Sequence, residues 1–174
     1  TTPSWAATGR GGAGTGSAEM CEHCGCRGVV PIAELMDEHA ALLDEAHHVR
    51  RAFGTGDRPG AMARLEVLVS HLSRHVGREE AGVFAALRSL GEFVDEIEQL
   101  EHEHRDFDAA CAALHADAPD LEERVERLLH DLGEHVERED LGIFPVSVVT
   151  LGAAGWEVVE QARVDAPTFL RVTP

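Results

Sequence analysis

The stretch HLSRHVGREEAGVF, residues 71–84, returns as DLGEHVEREDLGIF, residues 131–144, without a gap in the alignment. Both copies contain the kernel H-V-x-R-E, in which a glutamate follows a histidine by four residues. The shared positions are His75, Val76, Arg78, Glu79, Gly82 and Phe84 in the first copy and His135, Val136, Arg138, Glu139, Gly142 and Phe144 in the second. This repeat indicates that one helical unit has been duplicated.

A shorter repeat lies one helix upstream of each copy. Glu38-His39 precedes the first copy, and Glu103-His104 precedes the second. Each half of the chain therefore supplies an isolated histidine followed by an H-x-x-x-E pair. We interpret the chain as a duplicated helix pair that carries a duplicated half of a metal site.

Apolar residues that recur at spacings of three and four predict four amphipathic helices. The predicted helices run from Pro31 to about Phe53, from Asp57 or Pro59 to about Gly91, from about Glu92 to Asp117, and from Leu121 to near Pro145. The fourth is expected to stop at Pro145, because proline disfavours the α region for the residue before it. Short loops between such helices are typical of an all-α, up-down-up-down antiparallel four-helix bundle.

Composition divides the chain into four parts. The predicted parts are an N-terminal tail, residues 1–19, a Cys-rich segment, residues 20–28, the bundle, residues 29–146, and a C-terminal extension, residues 147–174. The tail is rich in Gly, Thr, Ala and Ser without periodicity, which predicts that it is flexible. The extension contains EVVEQARV, a candidate fifth helix, and is expected to pack on the bundle end through Val148, Leu151 and Trp156.

The 174-residue chain has a formal net charge of −17 and 44% hydrophobic residues. The hydrophobic share is sufficient for a core, and the negative charge argues against nucleic acid or an anionic membrane as a partner. The sequence has no apolar run long enough to span a membrane and no basic start followed by an apolar segment. Because the cysteines are clustered, a reducing compartment is favoured, and we expect a cytoplasmic protein.

Six polar residues fall on the predicted inner faces of the four helices, where each would be costly without a partner. They are His39, His75, Glu79, His104, His135 and Glu139. A shared metal centre explains them together, because a His and a Glu one turn apart lie on one helix face. Six mixed N and O ligands exceed one tetrahedral ion and suit iron or manganese, so we expect two metals bridged by the glutamates. The alternative is a metal-free network of buried His–Glu hydrogen bonds.

Over about residues 30–150, this pattern resembles the hemerythrin-like proteins with an HHE cation-binding domain. The series His, H-x-x-x-E, His, H-x-x-x-E and the phrase Ile143-Phe144-Pro145 carry the resemblance. It implies a four-helix bundle with a non-haem di-iron centre, bridged by oxo or hydroxo groups and carboxylates, with manganese as the less favoured metal. It also implies that the six residues above are the ligands.

The chain departs from the oxygen-carrying hemerythrins, which place two histidines one turn apart on the third helix. Here Asp108 stands four residues after His104. Glu139 follows His135 at +4, where the carriers use Asp at +5. The missing ligand weakens reversible oxygen carriage and leaves positions at which O2, H2O2 or NO binds, reacts or is sensed. The alternative function is an iron storage, delivery or redox-sensing module without catalysis.

Four further residues are candidates for a supporting role. His71 lies one turn before His75 and is an extra ligand or a neighbour of the ligands. Glu38 and Glu103 either orient imidazole N–H groups or are solvated at the helix edge. Cys111 is expected to pack in the core, with a redox-sensitive thiol as the alternative.

The segment CEHCGC holds a second group of metal-ligating residues, Cys21, His23, Cys24 and Cys26. So tight a loop rarely encloses one tetrahedral zinc by itself. It is expected to bind a metal shared with a protein partner or a second copy of the chain, to form a redox-sensitive disulfide, to pass iron to the bundle, or to dock as a reduced loop.

Overall fold

The structure is a computed structural model that describes residues 25–170. The predicted tail and the predicted candidates Cys21, His23 and Cys24 lie outside the described residues. Within residues 25–170, all regular secondary structure is helical, which confirms the all-α class. No helix in this part of the chain is both long enough and apolar enough to cross a membrane.

The first half contains two long helices and a short third one. A 3-10 turn, Cys26–Gly28, leads into α1, Val30–Gly54. Helix α2, Arg58–Glu79, starts at Asp57, whose side-chain Oδ1 accepts a 2.9 Å hydrogen bond from the backbone N–H of Gly60. A π-helical segment, Glu80–Phe84, follows α2 directly and continues into α3, Ala85–Leu90.

The second half repeats this order. Helix α4, Val94–Ala112, is followed by α5, Leu121–Arg138, and then by a second π-helical segment, Glu139–Ile143. Helix α6, Phe144–Thr150, continues from it, and α7, Ala153–Asp165, ends the regular structure. The candidate fifth helix is therefore present and longer than the sequence predicted.

Two predicted helix ends are wrong. The third helix ends at Ala112 rather than near Asp117, because the Arg58 side chain binds the carbonyls of Ala116 and Ala118 at 2.9 and 2.6 Å and draws this stretch into a turn. The fourth continues beyond Pro145. The proline falls in the first turn after the π segment, where its missing N–H is tolerated.

The buried apolar side chains form two clusters, one on each side of a polar layer. One cluster lies towards the start of α1 and includes Ile32, Met36, Phe84, Leu87, Ile97 and Phe144. The other lies towards the end of α1 and includes Leu42, Leu68, Leu72, Phe107, Leu129 and Leu132. The six predicted polar residues are also buried, and on α1 His39 lies between members of the two clusters. The candidate site is therefore enclosed by apolar side chains above and below.

The C-terminal extension packs on one end and one side of the bundle. Leu151 belongs to the first apolar cluster, and Val148 and Trp156 pack against it. Helix α7 lies against the first π segment, and a Cβ built on Gly82 would be 3.3 Å from the Cβ of Ala162. The absence of a side chain at Gly82 therefore lets α7 approach closely.

Candidate metal centre

The six predicted residues converge at the middle of the bundle. In one group, a ligand atom from each of His39, His75, Glu79 and Glu139 lies within 4.8 Å of the others. A second group of the same kind joins His104, His135 and Glu139. Every member of both groups is buried. The helical spacing of the sequence therefore brings together the side chains of both halves of the chain.

The two glutamates lie between the histidine pairs. Glu79 Oε1 is 3.0 Å from Nε2 of His75, while its Oε2 is 3.6 Å from Nε2 of His104. Glu139 Oε2 is 3.1 Å from Nε2 of His39, while its Oε1 is 3.2 Å from Nε2 of His135. Each carboxylate thus presents one oxygen to the first half and one to the second. Both carboxylates therefore lie within reach of both histidine pairs.

Each imidazole presents Nε2 to the centre and is held from behind through Nδ1. Glu38 Oε2 lies 2.8 Å from Nδ1 of His75, and Glu103 Oε2 lies 2.6 Å from Nδ1 of His135. These glutamates are buried and half-buried, so they are not solvated helix-edge residues. Each supports the histidine of the following helix and not its immediate neighbour in sequence. A carboxylate at Nδ1 fixes the ring orientation and leaves Nε2 free to ligate.

Two further supporting carboxylates, Glu80 and Asp140, were not predicted from the sequence. Asp140 Oδ1 lies 2.8 Å from Nδ1 of His39, and Glu80 Oε1 lies 2.9 Å from Nδ1 of His104. Both residues directly follow the glutamate of an H-x-x-x-E pair. The signal was present in the repeat, since the doublets Glu79-Glu80 and Glu139-Asp140 are both acidic.

The repeated phenylalanines form part of the wall of the site. Phe144 stacks on His39 with ring centroids 5.4 Å apart, and Phe84 stacks on His104 at 5.8 Å. Each phenylalanine thus covers an imidazole that belongs to the other half of the repeat. The rings exclude water from the outer faces of these two imidazoles.

Electrostatics inside the site favour a bound cation. Burial and the neighbouring charge of Glu139 oppose ionisation of Glu79, but the imidazoles of His75 and His39 lower its pKa to about 2. Burial likewise opposes protonation of His104, yet the carboxylates of Glu139 and Glu79 raise its pKa to about 9. Without a metal, His104 therefore carries a proton at neutral pH while Glu79 stays ionised, and a metal ion would compete with that proton for the imidazole.

Several buried polar atoms of the described residues have no hydrogen-bond partner. Among them are Nε2 of His39 and of His75 and both carboxylate oxygens of Glu79 and of Glu139. All of these atoms face the centre of the site. Buried polar atoms without partners are costly and need an explanation. A cation bound between them satisfies all of them at once, so the residues present fit a metal.

The remaining candidates lie away from the centre. His71 is half-buried and stacks on Phe169, with ring centroids 4.3 Å apart. Asp108 is exposed on α4. Cys111 is half-buried and packs against the second apolar cluster, and burial together with Asp108 raises the pKa of its thiol to about 11. Cys26 is buried in the first apolar cluster and is disulfide-bonded, which agrees with the redox-sensitive disulfide among the alternatives for this segment and not with the reduced loop.

Comparisons with known proteins agree with this geometry. The model of a protein family described as the hemerythrin HHE cation binding domain matches residues 30–147. The matched range contains all six converging residues and the four carboxylates behind them. A search of curated proteins and a search of solved structures found no match.

Proposed function

Because the chain belongs to the hemerythrin HHE cation-binding family, we propose that it holds two iron ions and that this centre binds O2, H2O2 or NO and reacts with or senses it. We further propose that the four long helices run up-down-up-down around the centre, as is usual for bundles that carry di-iron sites. The observation that carries the proposal is the set of buried ligand atoms on His39, His75, Glu79 and Glu139 that face one another without a well-formed hydrogen bond.

The arrangement of the glutamates favours two metal positions over one. The two pairs of histidines form separate groups, and each glutamate has one oxygen near each pair. Two ions bridged by Glu79 and Glu139 would use every oxygen. Mixed imidazole and carboxylate ligation suits iron, and also manganese, better than a thiolate-binding metal.

The second position is the one that we assign to the small molecule. Glu79 lies farther from this position than from the first, since its Oε2 is 3.6 Å from Nε2 of His104 while its Oε1 is 3.0 Å from Nε2 of His75. Asp108, which occupies the place of a further histidine in the oxygen carriers, is exposed and does not reach the centre. An ion that prefers six ligands would keep positions open here for an oxygen or nitrogen atom of a small molecule.

The side chains around the centre have two tasks in this proposal. The carboxylates behind the imidazoles hold the four rings in the orientation that presents Nε2. Phe84 and Phe144, together with the two apolar clusters, exclude water from the centre. Bound iron would supply what no side chain of the site can supply, namely a change of oxidation state and open coordination positions.

The test is an optical one. The metal-free chain is loaded with ferrous iron under anaerobic conditions and mixed separately with O2, H2O2 and NO, and absorbance is followed from the near ultraviolet to the visible. We expect a rapid change with at least one of the three. The variant His104→Ala should lose it, while the control His102→Ala, which alters an exposed histidine of the same helix, should retain it. Iron-loaded protein that responds to none of the three would contradict the reactive part of the proposal.

A further inference from the structure

The two halves of the site have the same residues but very different surroundings. The supporting glutamates Glu38 and Glu103 are each bound by the arginine of the repeated kernel, Arg78 and Arg138 respectively. In the first half, the glutamate side chain is 0% exposed and that of the arginine 3%. In the second half, the corresponding values are 20% and 44%. The repeat therefore places equivalent groups fully in the interior in one half and partly exposed in the other.

In the first half, a series of ion pairs connects the supporting residues to α7. Nη2 of Arg78 lies 2.9 Å from Oε2 of Glu34, and Arg163 on α7 holds both oxygens of Glu34 at 2.9 Å. Such two-pronged Arg–carboxylate contacts are strong and directional. In the second half, the residue four before the supporting glutamate is Gln99, which donates one 3.2 Å hydrogen bond to Glu103. Among residues 25–170, Arg138 is the one arginine that hydrogen-bonds to Glu103.

The end of the described chain adds a second layer over the first half. Phe169 stacks on His71, which lies one turn before the ligating His75. Nη2 of Arg74, on the same helix as His75, donates a 3.1 Å hydrogen bond to the carbonyl of Pro167. We name α7 together with residues 166–170 the C-terminal cover. The cover therefore contacts the first half at Glu34, through Arg163, and at His71, through Phe169.

The second half faces a groove instead. Helices α4 and α5 leave a space of about 620 Å³. Its lining includes Glu103, Phe107, Leu128 and Arg138. Within residues 25–170, no segment fills this groove as the C-terminal cover fills the first half. The repeated glycines show the same difference, because a Cβ on Gly82 would meet α7 at 3.3 Å whereas a Cβ on Gly142 would meet nothing within 4 Å.

From this asymmetry we propose that the C-terminal cover makes the two metal positions unequal in lability. The cover slows metal release from the position at His39 and His75. The position at His104 and His135 therefore releases its metal faster. Release of a metal requires a ligand to swing away, and the support of the ligand in the first half cannot move without breaking the Arg78–Glu34–Arg163 chain. In this role Arg163 is a positioning residue that acts through Glu34 and Arg78. The inference rests on the proposed two-metal centre.

Metal release tests the inference without any activity assay. The full chain is loaded with ferrous iron under anaerobic conditions and mixed with an excess of a chromogenic ferrous chelator. We expect two phases that each release about one iron ion, as two unequal positions require. The double variant Arg163→Gln/Phe169→Ala should accelerate the slow phase by about 10-fold or more, because loss of residues behind the ligands typically weakens metal sites by that factor. It should leave the fast phase unchanged.

Two further variants make the result specific to each half. Arg138→Gln removes the exposed contact to Glu103 and should accelerate the fast phase alone. Arg64→Gln breaks an exposed ion pair with Glu45 between α1 and α2, without a contact to the supporting glutamates, and should alter neither phase. Arg163→Lys keeps the charge but loses the two-pronged contact, and should give an intermediate slow phase.

Three outcomes would overturn the inference. They are release of two irons in a single phase, a slow phase unchanged by the double variant, and equal acceleration of both phases by that variant, which would indicate general loosening. The total number of irons released distinguishes a failure of this inference from a failure of the proposed function. A chain that releases two irons in one phase contradicts only the unequal positions, whereas a chain that never loads two irons contradicts the two-metal centre as well.

Discussion

The carboxylate of Asp140 holds the imidazole of His39, with Oδ1 2.8 Å from Nδ1, although 101 residues separate them in the sequence. Glu80 and His104 make the equivalent contact in the opposite direction, at 2.9 Å. Each half of the repeat thus orients a histidine of the other half. The site is complete only when the two helix pairs pack together, and metal binding and the packing of the two halves are therefore coupled.

We expect Asp140→Asn to weaken metal binding by about 10- to 100-fold, because the neutral amide no longer stabilises and orients the ligating imidazole as a carboxylate does. Competition with a coloured chelator of known affinity measures the effect. Asp44→Asn, which changes an exposed carboxylate on the same helix as His39, is the matched control. Equal affinities for the Asp140 variant and the native chain would show that Asp140 has no such role.

The folding stability of the metal-free chain and its affinity for metal should change in opposite directions as the pH rises. The folded-state pKa of His104 is raised to about 9 from the ordinary 6.5. Its contribution to folding of the metal-free chain is therefore fully present below pH 6.5 and is lost as the pH rises through 9. Over the same range, metal affinity should rise, since metal binds the deprotonated imidazole. Urea unfolding of the metal-free chain and a manganese titration at each pH test the two trends, and a common sign would contradict the account.

The thiol of Cys111 should react slowly. Burial, with a contribution from the charge of Asp108, raises its pKa to about 11, so at pH ~8 the thiolate is about 100-fold scarcer than for a thiol with the reference pKa of 9. Iodoacetamide labelling followed by mass spectrometry of the Cys111 peptide measures the rate. The same chain in urea is the control and should label rapidly. Equally fast labelling of the folded chain would favour the alternative of a reactive thiol.

Replacing two glycines of the bundle by alanine should change the free energy of unfolding in opposite directions. Gly133 lies within α5 with open space where a Cβ would stand, so Gly133→Ala should raise the free energy of unfolding by up to ~1 kcal/mol. Gly91 ends α3 at φ 71°, a left-handed conformation, so Gly91→Ala should lower it by ~1 kcal/mol. Denaturant unfolding of both variants checks the signs, and a stabilising Gly91→Ala would refute this assignment of backbone strain.

The helices and the convergence of the six polar residues could be predicted because both follow from local spacing. A histidine and a glutamate four residues apart share one face of a helix whatever surrounds them, as at His75 and Glu79. Their roles as ligands remain a prediction. The family match confirms the resemblance, which depends on two such spacings, each preceded by a single histidine, in a fixed order.

The supporting roles of Glu80 and Asp140 could not be predicted in the same way. Each contacts a histidine of the other half, and sequence spacing contains no information on how the two halves meet. The continuation past Pro145 depends on the π segment before it, which has no periodicity of its own to reveal it. The repeat also gives no sign of the asymmetry of the site, because α7 lies outside the duplicated part and packs mainly on the first half.

The most direct test of the central claim is the iron content of the chain after anaerobic ferrous loading and removal of unbound metal, measured by elemental analysis. The account predicts about two iron ions per chain, as expected for a bundle-interior di-iron site. It also predicts a lower content for His75→Ala and for His135→Ala, and an unchanged content for His47→Ala, which alters an exposed residue of α1. A native chain that remains metal-free after loading would contradict the account and would assign the six buried residues to a metal-free hydrogen-bonded network.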